Sequence, residues 1–406
     1  MGTGGETAHK RAARATLGVC GAAHFVHDGF SALLYLVLPS WQAEFGLSLA
    51  QVGLLKSVHS AALAGLQAPA GLLAERLSER GFLAAGTAIA SLGFLAFGWA
   101  GGFVGLAIML VVAGAGSSVQ HPLCSSLVSK AYEQGARRAA LGIYNFTGDL
   151  GKLAVPALAA VAIAGLDWRW ATGGYAGVGL LAAGAILLVF GLHARAPRAE
   201  RTAAAQAASR AAGWGIRDRR GFQALAAIGV IDSATNTGFL TFLPFLLIAK
   251  GASIETVGLA LTLTFAGGAI GKFVCGFVAE RVGIVRTVIL TEVLTGCGIL
   301  VVLALPLGAA LVVLPALGVA LNGTSSVLYG TVAEFVDSER RARAFGLFYS
   351  VCSGASAVAP WIYGAVSDAA GVPVALVLVA IVALATVPLA PLLGPALRRA
   401  AANAAD

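Results

Sequence analysis

The chain consists of long apolar segments separated by short polar stretches. Most of the apolar segments contain about 20 or more residues, the length that an α-helix needs to cross the hydrocarbon core of a bilayer. Helices are favoured because lipid offers no hydrogen-bond partners to an exposed backbone. We therefore predict twelve membrane-spanning helices, spans 1 to 12, over residues 16–38, 50–74, 81–100, 103–129, 139–165, 169–193, 221–248, 256–279, 286–305, 308–332, 343–366 and 371–395.

The composition supports a membrane location. Of the 406 residues, 58% are apolar and 11% are charged, whereas roughly a quarter of the residues in soluble domains are charged. This balance excludes a soluble enzyme and an intrinsically disordered chain. The net charge of +8 requires no nucleic-acid partner, because basic loops on one face of a membrane account for it. The sequence has no Walker loop that would indicate direct use of ATP, and we expect no enzymatic activity and no cofactor.

The basic residues indicate the orientation. With twelve spans, both termini share one side of the membrane with the even-numbered loops, and that side holds most of the 27 lysines and arginines. Only Arg169 and Lys250 fall in loops on the other side. Because basic loops are retained in the cytoplasm, we expect both termini to be cytoplasmic and the protein to lie in a bacterial inner membrane.

The two halves of the chain repeat one another. A shift of about 205 positions lays Pro39 on Pro244, Gly53 on Gly258, Glu75-Arg76 on Glu280-Arg281, Gly142 on Gly346 and Pro156 on Pro360. An Ala-rich, basic connector separates the halves. We therefore predict an N-terminal six-helix bundle (1–193), a cytoplasmic linker (194–220) and a C-terminal six-helix bundle (221–406). Such repeats place a binding site between the bundles near the midplane.

Two loops carry a family resemblance. Gly71-Leu-Leu-Ala-Glu-Arg-Leu-Ser-Glu-Arg80 resembles the signature loop of the major facilitator superfamily, Gly-x-x-x-Asp-Arg-x-Gly-Arg-Arg, with glutamate in place of aspartate. Gly276-Phe-Val-Ala-Glu-Arg-Val-Gly283 resembles its echo in the second half. The resemblance implies the major facilitator fold, an all-α membrane protein with twelve transmembrane helices in two pseudo-symmetric six-helix bundles.

Two further segments are similar to one branch of that superfamily. His24-Phe-Val-His-Asp28 in span 1 and Gly114-Ala-Gly-Ser-Ser-Val-Gln-His-Pro122 in span 4 resemble the fosmidomycin-resistance type of bacterial efflux carrier. Span 4, however, lacks the embedded arginine of many multidrug proton antiporters, and span 5 is a poor match to their glycine-proline motif.

The signature loop has a predicted gating role. Glu75 at the cytoplasmic end of span 2 can face the positive N-terminus of span 11 and hold the cytoplasmic side shut, a use that the resemblance also implies. The gating residues that we predict are Gly71, Glu75, Arg76, Arg80, Glu280 and Arg281. Alternatively, the arginines only orient the chain in the membrane.

Three acids and three lysines lie well inside predicted spans, namely Asp28, Asp149, Asp232, Lys56, Lys152 and Lys272. Each would cost roughly 2.5–3.5 kcal/mol at the centre of a lone helix, so we expect them to face a watery cavity or to pair with one another. All six fall on spans 1, 2, 5, 7 and 8, which the resemblance assigns to the cavity. Spans 3, 6 and 12 have no such residue, and span 9 has only Glu292, near its cytoplasmic end.

The aspartates are candidates for proton binding. Asp28 and Asp232 occupy nearly corresponding positions in the repeat, near mid-depth. Desolvation favours a protonated carboxyl and a nearby lysine favours an ionised one, so such groups can load and release a proton. We expect Asp28 to be the first proton carrier and Asp232 the second, with Asp149 and His121 as further proton-coupling residues. Alternatively, each aspartate is a permanent ion-pair partner.

The lysines are candidates for substrate binding. A lysine ammonium is a strong point charge for phosphonate, phosphate or carboxylate, which applies to Lys56, Lys152 and Lys272. Alternatively, Asp149 and Lys152 neutralise each other, because they are spaced i, i+3 on one helix. A heavily charged cavity argues against a wholly apolar substrate. We therefore expect a small anionic or zwitterionic organic molecule.

The histidines raise the question of a metal path. His24, His27 and Asp28 share a helix face, and His59 and His121 lie on other cavity-lining spans. Soft sulfur is scarce and no Cys or His spacing recurs, so we expect no metal site. The remaining predicted substrate-binding residues are His24, Gln120, Asn145, Asn236, Asn322, Tyr329 and Tyr349. Any of them is alternatively a hydrogen-bonding contact between helices.

These observations together predict a proton-coupled secondary transporter that works by alternating access. We expect a monomer in the lipid bilayer that binds a small molecule and protons and acts as an efflux antiporter. The alternatives are a proton symporter that imports an organic acid or a metal-chelate nutrient, a free transition-metal carrier, and a transporter-like sensor.

Overall fold

The computed structural model describes residues 3–74, 78–132, 136–192, 215–336 and 341–405. Within these residues the chain is almost entirely helical, and eleven helices are long and apolar enough to cross a membrane. The predicted all-α membrane fold is confirmed. Spans 1 to 12 run over Thr3–Phe45, Leu49–Ala74, Glu79–Ala96, Phe103–Ser117 with Gln120–Ala131, Arg137–Gly165, Trp168–Leu192, Arg219–Ala249, Ile254–Val282, Ile284–Ala304, Leu307–Thr331, Arg341–Ala370 and Val372–Leu384.

Span 4 is interrupted at Ser118 and Val119. Pro122 has no N–H to donate, and its ring crowds the carbonyl group four residues earlier, so the regular ladder cannot continue through this point. The N–H of Ser118 is shared between the carbonyl groups of Gly114 and Ala115, at 3.0 and 3.3 Å. The break places Gln120 and His121 at the start of the second segment.

Span 12 is shorter than the apolar segment that predicts it. Its helix ends at Leu384, and turns lead to a short 3-10 helix, Ala390–Leu392, and a final helix, Leu393–Ala405. Pro388 and Pro391 account for the interruption, because each removes a backbone donor. Apolar length alone therefore overestimates the continuous part of span 12.

The two bundles share one apolar core at the end of the molecule opposite the termini. This core contains Trp41 and Leu55 of the first bundle together with Leu243 and Leu261 of the second. At the other end the cores are separate, one around Tyr144 and one around Phe348. The bundles are thus closed on the side of the loop 46–48 and separate on the side of the termini.

Two glycines related by the repeat make the close contact at the shared end. A methyl group on Gly53 of span 2 would overlap the carbonyl oxygen of Pro360 in span 11. In the same way, a methyl group on Gly258 of span 8 would lie 2.7 Å from the carbonyl oxygen of Pro156 in span 5. The contacts between bundles therefore follow the internal repeat, and both require glycine.

Candidate functional site

The first part of the site surrounds Asp28 of span 1. Its carboxylate is buried and lies 2.9 Å from the Nζ of Lys152 in span 5. His24, one turn earlier in span 1, approaches the same carboxylate at 3.3 Å, and His121 of span 4 lies at 3.9 Å. The structure brings together four predicted site residues from three spans. The ammonium group compensates the charge of Asp28, so the buried carboxylate is stable in its ionised form.

A second group of side chains fixes the orientation of His24. Its Nδ1 donates to the carbonyl oxygen of Tyr144 at 2.8 Å, and its ring stacks on the Tyr144 ring with centroids 4.3 Å apart. The Tyr144 hydroxyl in turn accepts from Gln120 Nε2 at 2.8 Å. Gln120 is completely buried and its Oε1 has no donor among the described residues. Sequence reasoning misses Tyr144, because an aromatic residue in an apolar span has no spacing signal.

Asp149 and Lys272 connect the two bundles. The Nζ of Lys272 in span 8 donates to Oδ1 of Asp149 in span 5 at 2.5 Å. Lys152, one turn along span 5, is bonded to Asp28 instead. The structure therefore does not show the local pair of Asp149 with Lys152 that the sequence spacing allows. Both aspartates have a lysine partner on another helix.

Lys56 of span 2 differs from the other two lysines. It is 5% exposed, and its Nζ lies over the ring of Tyr35, 4.7 Å from the centroid. Among the described residues no carboxylate is within ion-pair distance of it. His59, one turn along span 2, is also buried, and both of its ring nitrogens lack a partner in that part of the chain. Span 2 thus contributes an uncompensated cation beside polar groups without partners.

In the second bundle, Asp232 of span 7 is separate from the cluster around Asp28. Its Oδ2 accepts from the hydroxyl of Ser325 in span 10 at 2.7 Å. Glu292 of span 9 contacts the same carboxyl group and is almost completely buried. The sequence places Glu292 near the cytoplasmic end of its span, and the packing of span 9 on span 7 brings it to Asp232.

The remaining predicted substrate-binding residues differ in their contacts and exposure. Asn236 donates to Asn322 at 3.3 Å and links spans 7 and 10. Tyr329 and Tyr349 stack with ring centroids 4.5 Å apart. Asn145 is exposed and has no hydrogen-bond partner among the described residues. These contacts correspond to the alternative role of joining helices, and a role in substrate binding stays a prediction.

The predicted gating residues are only partly described. Glu75 and Arg76 lie outside the described residues, and Gly71 is in the last turn of span 2. The Arg80 guanidinium lies over the ring of Phe190 in span 6, 5.0 Å from the centroid. Glu280 and Arg281 are exposed at the end of span 8. The gating role of the loops stays a prediction.

The histidines do not form one path. His27 turns away from Asp28 and lies between the hydroxyls of Ser117 and Thr87, at 3.2 and 3.1 Å. His24, Asp28 and His121 do present ligand atoms within 4.8 Å of one another. Lys152 occupies the same carboxylate, however, so a metal ion would have to displace an ammonium group.

A family model matches most of the chain. The family model described as Major Facilitator Superfamily matches residues 20–246 and 225–405. The chain belongs to the major facilitator superfamily. This facilitator is accordingly a multi-pass membrane transporter of a small molecule and not an enzyme, which confirms the resemblance carried by the two signature loops.

One curated relative matches part of the chain. The Fosmidomycin resistance protein of Escherichia coli (strain K12) is 30% identical to this facilitator over 163 residues, which are 39% of this chain. The match covers 40% of the relative, so the chain spans about two fifths of the length of the curated relative that it matches.

Solved structures of low sequence identity share the fold. A bacterial homologue of the human lysosomal transporter Spinster, in an inward-facing and unoccupied conformation, superposes with a TM-score of 0.78 at 16% identity, over 96% of this facilitator and 98% of that chain. A point mutant of the nucleoside transporter NupG superposes with a TM-score of 0.75 at 13% identity, over 94% of this facilitator and 99% of that chain.

Proposed function

We propose that this facilitator is a proton-coupled efflux antiporter for a small anionic or zwitterionic organic molecule, and that a zwitterion fits the site best. It works by alternating access between bundles 1–193 and 221–406, with the linker 194–220 and both termini in the cytoplasm of a bacterial cell. The observation that carries the proposal is the pair of contacts Asp28–Lys152 and Asp149–Lys272. Each contact includes one residue of span 5, Lys152 or Asp149.

The two ion pairs can exchange partners. Asp149 and Lys152 are one turn apart on span 5, so Lys152 has a second carboxylate within reach. When a substrate ammonium group or a proton neutralises Asp28, Lys152 is released and turns to Asp149. Lys272 then loses its partner and becomes available for an anionic group of the substrate. Events at Asp28 in one bundle are thereby coupled to the contact between the bundles.

The charge balance of the site defines the substrate class. Two aspartates balance Lys152 and Lys272, and Lys56 remains as a buried excess cation. An anionic group therefore binds near Lys56 and Lys272. A substrate ammonium group and a proton both neutralise Asp28, so they compete, and competition between substrate and proton is the requirement for antiport.

In this proposal the described conformation is the inward-facing one. The bundles share a core at the end away from the termini and are separate at the end of the termini. With cytoplasmic termini, as the basic loops indicate, the cavity opens to the cytoplasm. An exporter loads its substrate from that side.

The second candidate is a proton symporter that imports an organic anion. An anion without an ammonium group cannot neutralise Asp28. Protonation of Asp28, in contrast, makes the net charge of the site more positive and strengthens anion binding. The excess cation at Lys56 favours this candidate when the substrate is a simple anion. The presence of an ammonium group on the substrate therefore predicts antiport with protons, and its absence predicts symport.

The test uses purified protein in proteoliposomes that contain a pH-sensitive dye. Aminomethylphosphonate is the zwitterionic probe, and fosmidomycin, a phosphonate named with the curated relative, is the anionic probe. We expect entry of the zwitterion to make the lumen more alkaline in the wild type and to produce no pH change with Asp28→Asn. Acidification upon probe entry would favour the symporter.

Matched variants make the result specific. Asp218→Asn changes a partly buried aspartate that precedes span 7, far from the ion pairs of span 5, and should leave coupling unchanged. Lys152→Gln should uncouple like Asp28→Asn, because it removes the exchanging partner. Equal pH-driven flux in the wild type and Asp28→Asn would contradict the proposal, and binding without any exchange would indicate a sensor.

A further inference from the structure

A pair of carboxyl groups lies deep in the second bundle. Glu292 of span 9 is 1% exposed and Asp232 of span 7 is 6% exposed. The two side chains contact each other. Span 9 is the only one of the peripheral spans 3, 6, 9 and 12 with an aspartate, glutamate, lysine or arginine well inside its described helix. Glu292 therefore lies outside the spans that the resemblance assigns to the cavity, unlike Asp232.

The donors around the pair are few. Ser325 donates to Oδ2 of Asp232 at 2.7 Å. Thr324 contacts Glu292, but its hydroxyl also lies 2.7 Å from Oγ1 of Thr291, and a single hydroxyl proton cannot serve both. Oε2 of Glu292 is buried and has no donor among the described residues. The pair thus has more acceptor atoms than its neighbours can satisfy.

No cation compensates the pair in the part of the chain that the structure describes. Lys272, the basic residue inside span 8, is bonded to Asp149. Tyr329 of span 10 and Cys352 of span 11 also lie near Asp232, and neither supplies a positive charge. Asp28 differs in this respect, because Lys152 lies 2.9 Å from it.

Two carboxylates in contact, without a cation and away from water, cannot both be ionised. A proton placed between them removes one charge and supplies the donor that Glu292 lacks. We propose that Asp232 and Glu292 share one proton and form a second proton-binding site, in the C-terminal bundle and apart from Asp28.

A half-buried hydroxyl group lies beside the pair. Ser325 is half-buried on span 10, and its hydroxyl donates to Oδ2 of Asp232 at 2.7 Å. A hydroxyl group can pass a proton by accepting one and donating another. The role of the pair in transport rests on the proposed function, since only a proton-coupled carrier has use for a second proton. Its protonation does not depend on that function.

Infrared spectroscopy of the purified wild-type protein tests the pair directly. A protonated carboxyl group has a C=O stretching band that an ionised one lacks. We expect the double variant Asp232→Asn/Glu292→Gln to lose, at neutral pH, band intensity equal to one carboxyl group. The band of the wild type should also disappear as the pH is raised, because the shared proton leaves.

The controls separate the outcomes. Asp28→Asn should lose no intensity, because Asp28 is ionised beside Lys152. An unchanged band in the double variant would mean that both carboxylates are ionised and would overturn the proposal, as would a loss equal to two carboxyl groups. If instead the band behaves as expected while proteoliposomes show no coupled proton movement, the proposed function fails and the proton-sharing pair stands.

Discussion

The carboxylate of Asp368 in span 11 accepts a hydrogen bond of 2.7 Å from the backbone N–H of Leu49, the first residue of span 2. Its second oxygen accepts from the N–H of Ala50 at 2.9 Å. A side chain of one bundle thus caps the positive end of a helix in the other bundle. The contact lies at the closed end of the molecule, opposite the end where the signature loop is predicted to act.

Removal of this cap should favour opening of the closed end. Loss of an N-cap costs about 0.5–2 kcal/mol, so Asp368→Ala should shift the ratio of open to closed molecules by roughly twofold to thirtyfold. Asp368→Asn should have a smaller effect, because asparagine also caps helices. Distances between spin labels at the exposed positions Ala43 and Ala370 measure the shift. An Asp167→Asn variant is the control, because Asp167 pairs with Arg169 within one bundle.

The ion pair between the bundles should respond asymmetrically to substitution. In Lys272→Gln, Lys152 stays bonded to Asp28 but remains a neighbouring cation one turn from Asp149, so we expect the smaller loss, about 1 kcal/mol or less of unfolding free energy. In Asp149→Asn, Lys272 is left without a partner in a half-buried position, and we expect a loss of roughly 1–3 kcal/mol. Thermal unfolding of the purified variants measures both. Lys130→Gln, which breaks an exposed pair with Glu79, is the reference, and equal losses in the two test variants would contradict partner exchange.

Lys56 should contribute to affinity at the expense of stability. Lys56→Gln removes the excess cation, so binding of the phosphonate probes should weaken by roughly tenfold or more, as for a lost charge-assisted hydrogen bond. The same variant should unfold at a higher temperature than the wild type, because a buried charge without a partner is destabilising. Calorimetry and thermal unfolding give the two readouts. Weaker binding together with lower stability would instead indicate a packing defect at Tyr35.

The close contact of spans 2 and 11 predicts a difference between two glycines. Gly53→Ala would place a methyl group against the backbone of Pro360, and overpacking of this kind typically costs about 1–3 kcal/mol. Gly65 lies in the same helix with open space beside it, so Gly65→Ala should be neutral or stabilise the helix by up to about 1 kcal/mol. Thermal unfolding compares the two variants. Similar behaviour of both would contradict the contact.

Asp218, just before span 7, predicts a pH dependence of stability. The hydrogen bond from the backbone N–H of Gly221 at 3.0 Å, and then Arg399 at 2.7 Å, hold the pKa of Asp218 below its ordinary value of 3.8. A lowered pKa gives a stabilisation that is complete above 3.8 and is lost as the pH falls through the value in the folded protein. Asp218→Ala should therefore cost about 1 kcal/mol at neutral pH.

The difference between the wild type and Asp218→Ala should shrink below pH 3.8. Thermal unfolding at neutral and acidic pH measures it. Arg14→Gln, at an exposed basic residue of span 1, serves as the control for general effects of acid. A difference that grows in acid would contradict the assignment of the cap.

The sequence determines the spans more directly than it determines the contacts between them. Apolar length is a local property, so the helices can be predicted, whereas the end of span 12 depends on Pro388 and Pro391. The partner of Lys152 cannot be predicted, because the local pair with Asp149 is worth only a few tenths of a kcal/mol. The packing of spans 1, 5 and 8 outweighs this local preference and places Asp28 beside Lys152 and Lys272 beside Asp149.

The sequence also does not reveal how deeply a side chain lies in its bundle, or which distant residue caps a helix. The sequence gives the distance of Glu292 from the end of span 9, but the position of that helix against span 7 is set by packing. Asp368 escapes sequence reasoning because its partners are backbone groups more than 300 residues away. An acidic residue at the end of a span, beside a helix that begins in the other half, is the only signal that the sequence offers.

The break in span 4 has a mechanical consequence. The segment Phe103–Ser117 exposes Val104 and Ile108 to the outside, whereas Gln120, after the break, is buried. The helical ladder is interrupted between the two segments, so a change of angle near His121 can leave the lipid contact of the first segment in place. If the first segment keeps this lipid contact while the proposed carrier changes conformation, turnover should vary little with the acyl-chain length of the surrounding lipid.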